Sequence, residues 1–317
     1  MISLIVPIYN KAKFLPETLN AIAKQSFRDF ELLLVDDGSI DDSVTVAETV
    51  LKKSDLTYQI LRKENGGQSS ARNYGLDRAR GDYVLYLDSD DVISPDFLER
   101  LSSSFHETVD FVFCGFCYVK TQTVPQDDDH ERYLYTRDEL IRHFLKRDIS
   151  FVVPSMLFRK SFLLEHELRF REGIRYSEDQ LFIWEVLFKA AQAVYLPAKL
   201  YGYCLRESSI MTGSPYDRIM GGFRVYASFC EELKEKYANH HKEIAMILPR
   251  WELGTLYTAA NLLDYEQYKK IYETMDGRSI FRRLKGINEP KAYLLAAVCS
   301  LSPGLLYGLC RRLDLNG

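Results

Sequence analysis

The 317-residue chain is 46% apolar and 27% charged, the balance of an ordinary globular protein long enough for two domains or for one domain with an appendage. A net charge of −4 argues against a general nucleic-acid binder, which would carry a basic excess. Six cysteines fall without a framework spacing, which sets aside a disulfide scaffold and suits a reducing compartment.

Residues 3–6 are a short apolar, β-prone run, and 14–25 follow with helical periodicity. Residues 31–35 repeat the theme and end in Asp36-Asp37-Gly38-Ser39, after which Asp41 can cap a helix reaching about Lys53. Residues 58–61 make a third strand, 68–78 a third helix and 83–87 a fourth strand. Continuous apolar strands alternating with helices predict an α/β fold, a mostly parallel sheet covered on both faces. Ligands of such sheets bind beyond the carboxyl ends of the strands. Here those ends carry Pro7-Ile8-Tyr9-Asn10, Asp36-Asp37-Gly38-Ser39, Asn65-Gly66-Gly67 and Asp88-Ser89-Asp90-Asp91, so polar and glycine-rich residues collect on one rim.

The last of these ends is the most informative. Three carboxylates closing a core strand are costly unless a positive group compensates them. A hard divalent cation carrying phosphate oxygens, Mn²⁺ or Mg²⁺, is a fitting partner. The competing reading is a solvated turn leading into the helix that starts near Pro95.

Residues 106–215 are less regular. Cys114 and Cys117 form a C-x-x-C inside a predicted strand, where residues three apart face opposite ways, so they read as separate thiols. The acidic run 127–131 reads as an exposed loop. Helical periodicity returns from Ser177 through about Ala190, and 216–275 is helical throughout. Residues 292–310 carry no charge and are bordered by Arg282, Arg283, Lys285 and Lys291 on one side and Arg311 and Arg312 on the other. Ser300, Ser302 and Pro303-Gly304 interrupt the run. It reads as a hairpin or helix in the membrane interface over 286–313, with a buried helix pair and a true span as alternatives. The start of the chain has neither a basic leader nor a signal-length apolar stretch. The expected location is therefore cytoplasmic, peripheral on the inner face of the cell membrane.

No G-x-G-x-x-G follows a strand, and G-x-x-x-x-G-K-[ST], H-E-x-x-H and G-x-S-x-G are absent. Asp88-Ser89-Asp90-Asp91-Val92-Ile93 matches the D-x-D-x-[TV]-[LV] pattern of haloacid-dehalogenase-like phosphatases. That motif normally follows the first strand of its domain, whereas three strand–helix units precede it here.

The order of motifs resembles family 2 glycosyltransferases of the GT-A fold. Leu4-Ile5-Val6-Pro7-Ile8-Tyr9-Asn10 and Phe30-Glu31-Leu32-Leu33-Leu34-Val35-Asp36-Asp37-Gly38-Ser39 are similar to the family's opening. Asn65 to Gly75 contains its Gly…Ala-Arg-Asn-x-Gly segment, Asp88-Ser89-Asp90-Asp91 its metal-binding strand end, and Ser177-Glu178-Asp179 its Glu-Asp motif. The resemblance covers residues 1–210. It implies a GT-A domain over 1–215, with a nucleotide-sugar half (1–105) and an acceptor half (106–215), followed by a helical region over 216–317. Pro7, Tyr9, Asn10, Asp37 and Arg72 would line the base and ribose pocket, and Asp88 would face the nucleotide. Asp90 would ligate a divalent Mn or Mg ion, with Asp179 as general base and Glu178 as its supporting neighbour. Arg206 and Ser209 would close over the diphosphate. The implied reaction is inverting transfer of a hexose or N-acetylhexosamine from a nucleotide sugar, UDP-linked, to a hydroxyl of a lipid-linked glycan in bacterial surface polysaccharide synthesis. The non-enzymatic alternative is a sugar-nucleotide-binding or scaffold protein of the same fold.

Read from the residues alone, each assignment keeps a plainer rival. Glu178-Asp179 could be an ordinary helix start, and Arg72 a surface residue paired with Asp77 or Glu64. Tyr9 could pack at a strand end and Asp37 could form an Asx-turn.

Overall fold

The structure, a computed structural model, describes residues 1–120, 123–205, 214–284 and 290–314. The chain divides into two compact units, Met1–Leu140 with Ser150–Ser209 and Ile141–Ile149 with Ile210–Gly317.

The first unit begins with β1 (Ile2–Ile8), α1 (Leu15–Ala23), β2 (Phe30–Asp36), α2 (Ser43–Leu51), β3 (Tyr58–Arg62), α3 (Gln68–Leu76) and β4 (Tyr83–Tyr86). It continues with β5 (Val92–Ile93), α4 (Phe97–Ser102), β6 (Phe111–Val119), β7 (Tyr133–Thr136) and α5 (Arg137–Lys146), which crosses into the second unit. The remaining elements are β8 (Met156–Arg159), α6 (Lys160–Glu165), α7 (Glu178–Lys189) and β9 (Gln192–Cys204).

One sheet holds all these strands in the order β3-β2-β1-β4-β8-β6-β9-β5, with β7 also paired to β9. The half β3-β2-β1-β4 is wholly parallel. β8 runs antiparallel to both β4 and β6, and β9 is parallel to β6. The carboxyl ends of β1, β2, β3, β4, β6 and β9 therefore share one rim. Every residue of β1 and β2 is buried, as strands covered on both faces require. Helix α3 lies directly on β1: a Cβ at Gly75 would sit 2.5 Å from Ile5 Cγ2, so any side chain there forces the helix off the sheet. That close seat fixes the two earlier turns of α3, which carry Arg72 and Gln68.

The second unit is helical: α8 (Pro215–Lys236), α9 (His241–Leu262), α10 (Tyr265–Thr274), α11 (Ile280–Arg283), α12 (Pro290–Leu301) and α13 (Pro303–Asp314). Ser214 and Asp264 cap α8 and α10, accepting from the amides of Asp217 and Gln267 at 3.1 and 2.8 Å. The uncharged tail splits at Pro303 into α12 and α13, as its interrupting residues suggest. Ala296, Cys299, Leu306 and Cys310 join the core formed by Leu253, Leu256, Tyr268 and Ile271. Leu294, Leu301 and Leu305 remain exposed. Among the described residues no helix is long and apolar enough to cross a membrane. The six cysteines are thiols and not disulfides, Cys114 buried and Cys117 half-buried.

Candidate active site

The site is assembled on the shared rim from loops whose geometry is fixed by side-chain to backbone hydrogen bonds. After β1 the chain turns at Asn10, which has a left-handed φ of 53°. This conformation suits Asn better than most residues. The Asn10 amide donates to Ser39 Oγ (3.1 Å), and its side-chain Oδ1 accepts from the Ile40 amide (3.0 Å). The Lys11 amide donates to Ser43 Oγ (2.7 Å) and the Ala12 amide to Asp41 Oδ2 (3.1 Å). The loops after β1 and β2 are thereby fastened together.

Asp37 performs the same service for the next loop. Its buried carboxylate accepts from the Gly66 amide (3.0 Å), the Gly67 amide (2.7 Å) and Lys63 Nζ (2.6 Å). Gly67 has φ 85°, a conformation natural to glycine, and this lets two successive amides converge on one carboxylate before α3 begins. Asp37 thus serves the next loop rather than a local turn, while the neighbouring Asp36 Oδ1 accepts from the Ser39 amide three residues on (3.1 Å).

The centre of the site is Arg72, which is 0% exposed. Its Nη2 donates to Asp88 Oδ1 at 2.8 Å, and its Nη1 donates to Asp179 Oδ1. One guanidinium fork thus joins the acidic end of β4 to the first turn of α7. The surface alternative for Arg72 is excluded, and Asp77 pairs instead with Arg169 at 2.6 Å. Gln68, one turn upstream on the same face of α3, also donates to Asp88 Oδ1 (2.8 Å). The face of the guanidinium lies over the Phe170 ring, 4.8 Å from its centroid. Asn73 holds that ring in place: its Nδ2 donates to the Phe170 carbonyl (2.8 Å), and its Oδ1 accepts from the Phe170 amide (3.0 Å). Phe170 stacks in turn on Phe182 of α7, centroids 4.0 Å apart. The Ala-Arg-Asn segment is therefore a clamp in which Asn73 seats the aromatic floor and Arg72 lies on it.

Two carboxylates and a buried cation give the site its electrostatics. Asp179 stays 37% exposed while touching Arg72, so it can reach both solvent and the fork. Burial pushes Asp88 above the usual carboxylate range; Arg72 pulls against this, and Asp179 and Asp90 add to it. Glu178 is pushed up to about 7, first by burial and then by the adjoining Asp179 carboxylate. Ser177, just before the pair, has φ 67°, an uncommon conformation that sets the entry to α7. Asp90 pairs with Lys11 Nζ, the two side chains 28% and 15% exposed.

Asp91 is no solvated turn residue. It is buried, its carboxylate accepting from the Tyr201 hydroxyl and from the Cys204 amide (2.7 Å), while its carbonyl accepts from Thr18 Oγ1 (2.7 Å). It fastens the acidic loop to β9 and α1. Burial pushes its carboxyl up to about 7.

Of the residues expected at the site, the structure joins Arg72, Asp88 and Asp179 directly. Asn10 and Asp37 sit on the adjoining loops, and Glu178 lies beside Asp179. Pro7 is buried within β1 opposite Val35, and the Tyr9 side chain is 44% exposed at the strand's end. Arg206 and Ser209 lie outside the described residues. Sequence reasoning missed Lys11, Gln68, Asn73, Asp91 and Phe170. Gln68 and Asn73 flank Arg72 within one motif, four residues before it and one after.

Among the described residues, no three His, Cys, Asp or Glu side chains converge as a preformed metal cage. The candidate donor would be Asp90, with Asp88 beside it in the same strand end. That suits Mg²⁺ or Mn²⁺, which one or two carboxylates hold while substrate phosphates and water complete the shell. The ammonium on Asp90 shows this carboxylate already facing a cation.

Residues 3–167, more than half of the chain, match the family described as "Glycosyl transferase family 2". The uncharacterized glycosyltransferase EpsJ of Bacillus subtilis (strain 168) is 32% identical over 227 residues, 69% of this chain and 65% of its own length. The poly(ribitol-phosphate) beta-N-acetylglucosaminyltransferase TarS of Staphylococcus aureus (strain Mu50 / ATCC 700699) is 31% identical over 217 residues, 68% of this chain and 37% of its own. This chain spans less than two thirds of the length of either. In structure it resembles residues 1–349 of S. aureus TarS in complex with UDP-GlcNAc, with a TM-score of 0.63 at 24% identity, covering 93% of this chain and 90% of that one. It also resembles the mannosyltransferase PcManGT of Pyrobaculum calidifontis in complex with GDP-Man and Mn²⁺, with a TM-score of 0.54 at 18% identity, covering 95% and 86%. On the match over more than half of its length and the 32% identity to EpsJ, the chain belongs to glycosyl transferase family 2.

Proposed function

We propose that the chain transfers a hexose or N-acetylhexosamine, with inversion, from a UDP-linked donor to a hydroxyl of a lipid-linked glycan in bacterial surface polysaccharide synthesis. The observation that carries this reading is the Arg72 fork, which joins Asp88, proposed to face the nucleotide, and Asp179, the proposed base, on one guanidinium. Asp90 would hold a divalent ion, which when bound would neutralise charge on the departing diphosphate, and Asp88 would face the nucleotide. Pro7, Tyr9, Asn10 and Asp37 line the nucleotide end of the rim. Asp179 takes the proton of the acceptor hydroxyl as its oxygen bonds to the anomeric carbon, and the bond from that carbon to the diphosphate oxygen breaks on the opposite face. Because burial pushes the Glu178 carboxyl up to about 7, Glu178 is only partly ionised at neutral pH. That limits repulsion beside the base. Arg206 and Ser209 retain the diphosphate-closing role implied by the family pattern.

The UDP-GlcNAc held by the TarS fragment supports a UDP-sugar donor, and TarS is named for N-acetylglucosamine transfer. A thermal-shift panel of nucleotide sugars tests the donor class. With Mn²⁺ present, one UDP-sugar at about 100 times its Kd should stabilise the protein by about 2.7 kcal/mol, and omitting the metal should remove most of the shift. A panel in which no nucleotide sugar moves the transition would contradict the reading.

The exposed Leu294, Leu301 and Leu305, with Arg311 and Arg312 near the end of α13, suit peripheral contact with an anionic membrane. The full chain should float with phosphatidylglycerol-containing vesicles and lose that property when Leu294, Leu301 and Leu305 are all replaced by serine, which leaves the core side chains of α12 and α13 in place. No flotation by the full chain would end this part of the proposal.

A further inference from the structure

The two carboxylates of Asp88 and Asp90 carry different kinds of counter-ion. Arg72, on Asp88, is fully buried, lies flat on Phe170 and engages a second carboxylate through the other arm of its fork, so it is a fixed charge. Lys11, on Asp90, is a compact ammonium at the end of a flexible stem and is partly open to solvent. Its backbone, by contrast, is fastened: the amides of Asn10 and Ala12 donate to side chains of the loop after β2, and that of Lys11 to Ser43 at the start of α2. The ammonium can therefore move while its root stays at the rim.

We propose that Lys11 is an exchangeable counter-ion of the metal site, holding Asp90 while the protein is nucleotide-free and releasing it when a divalent ion arrives with the nucleoside diphosphate. The freed ammonium remains within its stem's reach of the rim, where it faces the incoming diphosphate charge. The proposal rests on the reading of Asp90 as metal ligand. It gives the protein a reason to bind metal weakly alone and tightly with nucleotide, because a cation must leave Asp90 before another binds. By linkage, metal and nucleotide each raise the affinity for the other, and Lys11 is part of that coupling.

The test is Mn²⁺ titration of the nucleotide-free full chain, followed by the electron paramagnetic resonance of free Mn²⁺ and repeated with UDP. Lys11→Met should bind Mn²⁺ about fivefold more tightly than wild type without UDP, the weight of a partly exposed ion pair. It should also gain less Mn²⁺ affinity than wild type when UDP is added. Lys11→Arg keeps a charge on Asp90 and should show no gain in Mn²⁺ affinity without UDP, while its planar fork, less readily displaced, should weaken the response to UDP. A variant that merely loosened the rim would lose metal affinity, so a gain separates the two explanations. If Asp90→Asn loses Mn²⁺ binding while Lys11→Met shows no gain, the counter-ion role is overturned and the metal reading stands. If Asp90→Asn binds Mn²⁺ as wild type does, the metal reading falls and the Lys11 proposal with it.

Discussion

Asp179→Asn should lower sugar transfer by about 10²–10⁴-fold, the usual worth of a positioned general base, while leaving nucleotide binding nearly intact. The amide is isosteric with the carboxylate, and its oxygen can still accept from Arg72 Nη1, so the fork keeps its geometry. Only the charge and the proton-accepting capacity go. Removing one anion from beside Arg72 leaves the site more positive, so UDP should bind as tightly as before or slightly more so. Turnover measured beside calorimetric UDP binding separates these effects. Wild-type turnover in this variant would remove Asp179 from the chemistry.

Arg72→Met should be the more damaging change for the fold. Breaking a buried ion pair by removing one partner costs about 3–5 kcal/mol, because the remaining charge is left uncompensated. Here two carboxylates are left without their shared cation, but both retain some exposure and can partly rehydrate. The expected loss is thus near the lower end, about 3 kcal/mol, seen as a Tm lowered by about 6–12 °C. Transfer should fall too, because nothing then holds Asp88 and Asp179 to a common point. Arg72→Lys restores a charge without a two-armed fork, so it should recover part of the stability and little of the activity. Wild-type Tm and turnover in Arg72→Met would contradict the bridging role.

The parallel half of the sheet was legible because its strands are uninterrupted apolar runs and its helices have clear periodicity. The rim loops were legible because Asp, Asn and Gly cluster where those runs stop. β9 was harder to read: Pro197 and Gly202 interrupt its strand signature, and the register shifts around Gly115 of its partner β6 accommodate the irregularity. The burial of Arg72 carried a local signal, since Ser69, Arg72 and Leu76 recur at helical spacing on the buried side of α3. A charged residue in that stripe implies a partner across the fold, though not which one. Asp91 offered no comparable signal, because its hydroxyl donor, Tyr201, lies 110 residues away. The same distance problem hid Phe170, brought under Arg72 by Asn73 across 97 residues.

The central claim is that the Arg72 fork unites a diphosphate–metal anchor and a catalytic base in one site. A crystal structure with Mn²⁺ and the UDP-sugar selected by thermal shift tests it most directly. The expected result is metal on Asp90, diphosphate beside Asp88, and the anomeric carbon facing Asp179 with space between them for an acceptor hydroxyl. A sugar nucleotide bound with its anomeric carbon turned away from Asp179, or with its diphosphate remote from Asp88 and Asp90, would contradict the account.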